Sequence, residues 1–378
     1  MRRLLVTGGA GFIGTNFVHY WLENHPQDRV VVLDAFTYAG NPENLAGLGD
    51  NPGLRVVEGD IDDRLLVEQL LTMESLDTVV HFAAESHVDR SIDGPEAFVH
   101  TNTVGTHSLL QAVRRVWGSG SRTSRPRFHH VSTDEVYGSL GPDDPAFTEE
   151  SAFAPNSPYS ASKAASDHLA RAYFRTYDLP VTVSHCSNNY GPYQFPEKLL
   201  PLMITNLLRG ESLPVYGDGG NIRDWLYVGD HCRAIDAILD RGQEGATYDI
   251  GGGEERTNVD LVYTLCRLID RLFASEPSLR RRFPAAPPSR GRASESLVTF
   301  VQDRPGHDRR YAVNPGRIER ELGFRPSVTL EEGLERTVRW YIDNQGWWEA
   351  VQDGSYRFAL PLGREGGEPR AARAGGAD

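Results

Sequence analysis

An apolar run, RLLVTG, leads directly into GGAGFIG and then into a helical stretch, GTNFVHYWLENH. No other feature constrains the fold as much as this glycine turn between a strand and a helix. Gly9, Gly11 and Gly14 satisfy G-x-G-x-x-G, and Gly8, Gly11 and Gly14 satisfy the G-x-x-G-x-x-G variant. Glycines at this spacing allow a tight turn and let a pyrophosphate approach the backbone at a helix N-terminus. Asp34 follows Gly14 by 20 residues and closes the next apolar run, VVVLDAF. An acid there accepts hydrogen bonds from the adenosine ribose hydroxyls, which favours NAD over NADP. Arg29 precedes that strand and gives no NADP signal. Asp60 and Ile61, after the third strand, are candidates for the adenine edge.

The βα rhythm continues beyond the turn. RVVVLDA, LRVVEGD, DTVVHFAA and RFHHVST read as short buried strands, and NTVGTHSLLQAVRRVW reads as a helix between two of them. Alternation of this kind predicts an α/β fold, a Rossmann-like doubly wound parallel sheet. PVTVSHCSNNYG adds a further strand. After residue 190 turn-rich stretches such as VYGDGGNIRDW and DIGGGEERTN interrupt shorter elements. The expected division is a Rossmann domain over 1–190, with a return segment near 225–252, and a smaller C-terminal substrate-binding lobe over 191–357. Residues 275–296 are basic and rich in Pro and Ser, which predicts a mobile loop; 358–378 read as a disordered tail.

The net charge of −13 argues against general binding to nucleic acid or anionic membranes. Cys186, Cys232 and Cys266 are odd in number and widely spaced, so neither a zinc site nor a disulfide framework is expected, and a cytoplasmic location fits. No stretch approaches membrane-spanning length. His81, His87 and His307 lack metal-ligand spacing and read as structural or supporting residues, so no metal is expected.

Only two lysines occur, against 37 arginines. One, Lys163, follows Tyr159 by four residues in SPYSASKAASDHL. Positions four apart on a helix share a face. An ammonium beside the tyrosine hydroxyl would favour its ionised form and make it a general base. The pair needs a cofactor site and a third residue to carry weight. Thr133 supplies the third, ending a later strand in HHVSTDEVYG. Strand ends of an open α/β sheet face the ligand crevice, so Thr133 is expected at its mouth. Asp134 and Glu135 follow directly. Neighbouring carboxylates whose environments split their pKa values can serve as acid and base, which suggests proton chemistry beyond simple oxidation.

With these residues in place the chain resembles the extended short-chain dehydrogenase/reductase family, and within it the dTDP-glucose 4,6-dehydratases. VTGGAGFIG, AAESHVDRSIDGP, STDEVYG, SPYSASKAASDHL, CSNNYGPYQFPEKL, IRDWLYVGDH, DRPGHDRRYA and WWEAVQDGSY carry the resemblance, over residues 4 to about 357. STDEVYG discriminates, because related nucleotide-sugar epimerases share the Tyr and Lys but typically lack the Asp-Glu pair. The resemblance implies bound NAD, a nucleotide-sugar substrate and a homodimer. It gives Tyr159, Lys163 and Thr133 the oxidation at sugar C4, Glu135 the C5 proton and Asp134 the leaving C6 hydroxyl. It places Gly8, Gly11, Phe12, Ile13 and Gly14 on the cofactor, with Asp34, Thr37, Asp60 and Ile61. Ala83, Ala84 and Asn189 join them, as do Tyr159 and Lys163. Ser86, Thr101, Thr133 and Asn188 would face the hexose. Lys198, Leu199, Pro214, Val215 and Tyr216 would line the nucleotide. Arg223 and Asn258 would hold diphosphate or base, and Asp303, Arg304 and His307 would close over it. The alternatives are a nucleotide-sugar 4-epimerase, a 4,6-dehydratase acting on UDP-glucose, and a non-catalytic NAD-sensing protein.

Overall fold

A computed structural model describes residues 1–118, 126–303 and 306–358. Six strands follow one another through the first half of the chain. They are β1 (Arg3–Thr7), β2 (Arg29–Asp34), β3 (Leu54–Glu58), β4 (Thr78–His81), β5 (Arg127–Thr133) and β6 (Val181–Cys186). Beyond them come β7 (Asn188–Tyr190), β8 (Leu213–Tyr216), β9 (Ile222–Tyr227), β10 (Thr247–Ile250), β11 (Glu255–Thr257) and β12 (Val298–Val301). The main sheet has seven strands in the order β10-β6-β5-β4-β1-β2-β3, and every neighbouring pair is parallel.

Strands of a sheet covered on both faces read as continuous apolar runs, and Leu4, Leu5 and Val6 of β1 are all fully buried. One face packs on the helices Phe12–Asn24 and Val228–Arg241 through Phe17, Val18, Trp21, Ile235 and Leu239. The other packs on Arg64–Met73, Thr106–Gly118 and Pro158–Tyr177 through Leu70, Leu110, Val113 and Tyr173. The chain runs outward from β1 in both directions, so a crevice opens beyond the carboxyl ends of β1 and β4. The stretch read as one helix over 102–117 is in fact a π turn, Val99–Gly105, followed by the α-helix Thr106–Gly118.

β7 leaves the end of β6 and starts the second body, a sheet of order β11-β9-β7 beside the parallel pair β12-β8. The helices Leu199–Arg209, Asn258–Ser275 and Leu330–Asp343 enclose its core. Between these parts the chain returns to the main sheet through Val228–Arg241 and β10.

Residues 275–296 differ from the mobile loop that composition predicts. They contain a short helix, Pro277–Arg282, and 3-10 turns at Pro287–Arg290 and Ser294–Leu297. Leu279, Phe283 and Ala286 enter the lobe's core, and the Ser294 hydroxyl donates to Asp270 Oδ1 at 2.7 Å. The expected tail falls outside the described residues except for its first position, 358. No described helix is long and apolar enough to cross a membrane, and no described group of His, Cys, Asp and Glu could hold a metal ion.

Candidate active site

The glycine turn leaves β1 with Gly8 at φ +70°, where a Cβ would stand 2.6 Å from the Ala83 nitrogen. A Cβ at Gly14 would meet the Gly8 carbonyl oxygen at 2.2 Å, so the first helical turn packs directly on the loop. Gly11 is different. Its Cβ would touch only the Gly8 oxygen, at 3.3 Å, and it caps the helix Phe12–Asn24 with no side-chain bond. First-turn amides left without a capping side chain form an anion site.

Asp34 ends β2 beside them. Its Oδ2 accepts from the Ala10 N–H and its Oδ1 from the Phe36 N–H, both at 2.9 Å. Burial raises its pKa, and those two bonds oppose the rise. Gly8, Gly11, Phe12, Ile13, Gly14, Asp34, Thr37, Asp60, Ile61, Ala83, Ala84 and Asn189 all line one cleft. A backbone cradle open only at Gly11, with a fixed carboxylate at its far side, fits an adenine dinucleotide.

The same cleft takes in Thr133, Asp134, Glu135, Tyr159 and Lys163. β5 delivers Thr133, whose Oγ1 accepts from the Glu135 N–H at 3.3 Å and so starts the 3-10 turn Asp134–Tyr137. Asp134 is buried, and its Oδ2 has no hydrogen-bond partner among the described residues. Burial pushes its pKa well up. The charges of Glu135 and Asp224 add to the rise, while Arg223 and the Thr133 hydroxyl oppose it. This environment favours the neutral carboxyl over the carboxylate.

A capping box at Ser157, with Pro158 at the first helical position, starts the helix that carries Tyr159 and Lys163 on its buried face. The Lys163 Nζ donates to the Val131 carbonyl at 2.8 Å. Burial raises the Tyr159 pKa above the usual value, Glu135 and Cys186 reinforce this, and a hydrogen bond with Thr133 opposes it.

On the substrate side, Ser86, Thr101, Asn188 and Lys198 line the cleft. Thr101 comes from the π turn, and the Lys198 Nζ donates to the Ser86 carbonyl at 2.9 Å. Leu199, Pro214, Val215, Tyr216, Arg223, Asn258, Asp303 and His307 do not line it. Leu199 opens the helix Leu199–Arg209 and packs on the lobe's core. Pro214, Val215 and Tyr216 belong to β8, next to β12. Val215 is buried in the same core, which leaves only its backbone for a ligand. Tyr216 and His307 meet edge to face at 6.4 Å, and His307 Nδ1 lies 2.6 Å from Asp303 Oδ1. Arg223 is buried and donates to the carbonyls of Ile222 and Asp308, with its guanidinium 4.3 Å from the centre of the Tyr311 ring. Asn258 Oδ1 is buried without a partner among the described residues. Arg304 lies outside the described residues.

The sequence reading missed several cleft residues. Glu85 and Glu197 flank Ser86 and Lys198; burial raises the Glu85 pKa, with Arg90 opposing and Glu197 reinforcing. Their adjacency to two chosen residues was the available signal. Tyr38, Phe195 and Trp347 also line the cleft, and Trp347 Nε1 donates to Asn44 Oδ1 at 2.7 Å.

A doubly wound parallel sheet with a glycine turn on β1, and a Tyr and Lys one turn apart at its mouth, defines a short-chain dehydrogenase/reductase of the extended type. The GDP-mannose 4,6 dehydratase family model matches residues 5–337. The dTDP-glucose 4,6-dehydratase of Neisseria meningitidis serogroup B is 52% identical over 360 residues, covering 95% of this chain and 98% of the relative. The enzyme of that name from Xanthomonas campestris pv. campestris strain B100 is 54% identical over 361 residues, with coverage of 95% and 98%. The crystal structure of DesIV, a dTDP-glucose 4,6-dehydratase from Streptomyces venezuelae with NAD and TYD bound, superimposes with a TM-score of 0.82 at 50% identity, covering 92% of this chain and 99% of that one. A UDP-glucose 4-epimerase from Thermotoga maritima shares the fold at a TM-score of 0.77 but only 27% identity, with coverage of 91% and 99%. The chain belongs to the dTDP-glucose 4,6-dehydratase family.

Proposed function

We propose that the chain converts dTDP-glucose to dTDP-4-keto-6-deoxyglucose, with NAD held in the cleft throughout. The observation that carries this reading is the buried Asp134 carboxyl, its Oδ2 without a partner among the described residues, next to Glu135 at the mouth of the dinucleotide cradle. A dehydrogenase that only oxidised and reduced would not need an acid and a base there.

The Gly11 turn would hold the pyrophosphate and Asp34 the ribose. When bound, NAD supplies the acceptor for the C4 hydride and returns it to C6. Tyr159 takes the C4 hydroxyl proton, oriented by Thr133, while Lys163 provides the compensating charge. The new 4-ketone acidifies the C5 hydrogen, which Glu135 removes. Asp134 gives its proton to the C6 hydroxyl, which leaves as water, and C5 is reprotonated at the close. Identities near 50% to proteins named for dTDP-glucose, against 27% to an epimerase, support this substrate over UDP-glucose and this reaction over epimerisation.

The enzyme acts as a cytoplasmic homodimer in this reading. Three free, buried cysteines suit a reducing compartment. The exposed side chains of Ile92, Val99 and Val104 give the segment 88–105 an apolar face for a second copy.

The test is incubation with dTDP-glucose and with UDP-glucose separately, without added NAD, followed by mass spectrometry. Loss of one water, faster from dTDP-glucose, is the expected result. A product of unchanged mass would make the chain an epimerase. No turnover at all would favour the NAD-sensing alternative.

A further inference from the structure

Beneath the cleft lies a buried polar array that the proposed reaction does not use. Tyr159, Lys163 and Asp167 follow one another at four-residue steps along the helix Pro158–Tyr177, and Asp167 is fully buried. The Asp167 Oδ2 accepts from the Ser132 hydroxyl at 3.0 Å and lies 2.9 Å from His185 Nε2. On its other side, His185 Nδ1 lies 3.2 Å from Asp249 Oδ1 and 2.7 Å from the Tyr137 hydroxyl. That hydroxyl donates to Asp249 Oδ1 at 2.9 Å. His130 Nε2 stands 3.1 Å from Asp167 Oδ1. Ser132, which binds Asp167, directly follows Val131, whose carbonyl receives the Lys163 ammonium.

His185 thus sits between the Asp167 and Asp249 carboxyls, and Asp167 lies one helical turn from the buried Lys163. The titratable groups facing Lys163 are few. His81 comes from β4, His130 from β5, Cys186 and His185 from β6, and Tyr159 and Asp167 from its own helix. Burial keeps His81 and His130 neutral, with the Lys163 charge acting in the same direction. Burial would keep Asp167 protonated and His185 neutral, but the contacts of Asp167 with His130 and His185, and those of His185 with Asp167 and Asp249, overcome it. The Asp167 pKa falls below the usual range, and that of His185 rises to about 9. Lys163 loses its hydration on burial, which lowers its pKa, and the Asp167 charge is the first influence opposing that loss.

We propose that Asp167 is a positioning residue for the reaction proposed above: with His185 and Asp249 it forms the buried counter-charge that keeps Lys163 an ammonium beneath Tyr159. The inference rests on that reading for its purpose, since an uncharged Lys163 could not balance an ionised Tyr159.

The chain has only two lysines, so its ammonium groups can be watched directly. Full-length enzyme is prepared with ε-13C lysine, and Lys198→Arg assigns the two signals. In the wild type, Lys163 is expected to be charged at about pH 8. In Asp167→Asn its titration midpoint falls by about one unit or more, equivalent to a tenfold change in the protonation equilibrium. Tyr137→Phe, which removes a hydroxyl from the array but no charge, leaves the midpoint in place. A midpoint unmoved by Asp167→Asn overturns the proposal. So does a wild-type Lys163 that is neutral at about pH 8, and this second measurement needs no variant to fold. Neither readout involves substrate, so failure here is distinct from failure to dehydrate dTDP-glucose.

Discussion

Asp134, the proposed acid, carries a cost to stability. The folded chain holds a proton on this carboxyl that the unfolded chain releases above its ordinary pKa near 4, so stability falls as pH rises toward the folded value. Asn keeps the shape and removes the titration. Asp134→Asn should raise Tm by about 2–4 °C at neutral pH while slowing water loss by about 10²–10⁴-fold, the usual worth of a general acid. Thermal scans and product mass read the two effects separately. His185 acts in the same direction on pH. Its pKa, raised to about 9, means that its stabilisation is complete below the unfolded value near 6.5 and is lost as pH climbs to 9. Tm should therefore decline across that window, and a profile flat from neutral to alkaline pH would contradict both assignments. The side chains proposed for the chemistry were legible in sequence because Tyr159, Lys163, Asp134 and Glu135 sit in two short motifs. The direction of the Lys163 ammonium was not, because it depends on a carbonyl 32 residues away.

At the scale of elements, the glycine turn separates two uses of one residue type. Gly14 has no room for a methyl group, because the Gly8 carbonyl oxygen would lie 2.2 Å from it. Gly11 has φ −78° and a tolerable neighbour, so Ala fits its backbone but intrudes on the cleft. Gly14→Ala should lower Tm, whereas Gly11→Ala should fold with near-native Tm and purify with little bound NAD. The ratio of absorbance at 260 and 280 nm, read beside the melting curve, distinguishes the two. The turn was readable because its spacing is local. The packing of 275–296 was not, although Leu279, Phe283 and Ala286 fall at helical intervals. Five arginines and four prolines within the same stretch gave it the composition of a loop. Val215 shows the converse: the resemblance assigns it to the nucleotide, but alternation along β8 turns its side chain into the lobe's core.

The cleft is completed from the far end of the chain, which no local pattern announces. Trp347, in the helix Gln345–Asp353, lines it and binds Asn44 through its indole N–H, and the Tyr356 hydroxyl donates to the Tyr38 carbonyl. A cofactor regenerated in every turnover need not leave, and a strap across its binding loop would slow its escape. The neighbouring Trp348 serves the lobe instead, buried in its core with its N–H on the Tyr341 carbonyl at 2.9 Å. Trp347→Ala should therefore weaken NAD retention by about tenfold, or 1.4 kcal/mol, with a modest change in Tm and near-normal turnover once NAD is added. Trp348→Ala should cost about 3–5 kcal/mol of stability, the usual loss for a buried tryptophan. Gel filtration followed by assay with and without NAD separates the two. If retained NAD simply tracked Tm across both variants, the C-terminal segment would be holding the lobe together rather than holding the cofactor in.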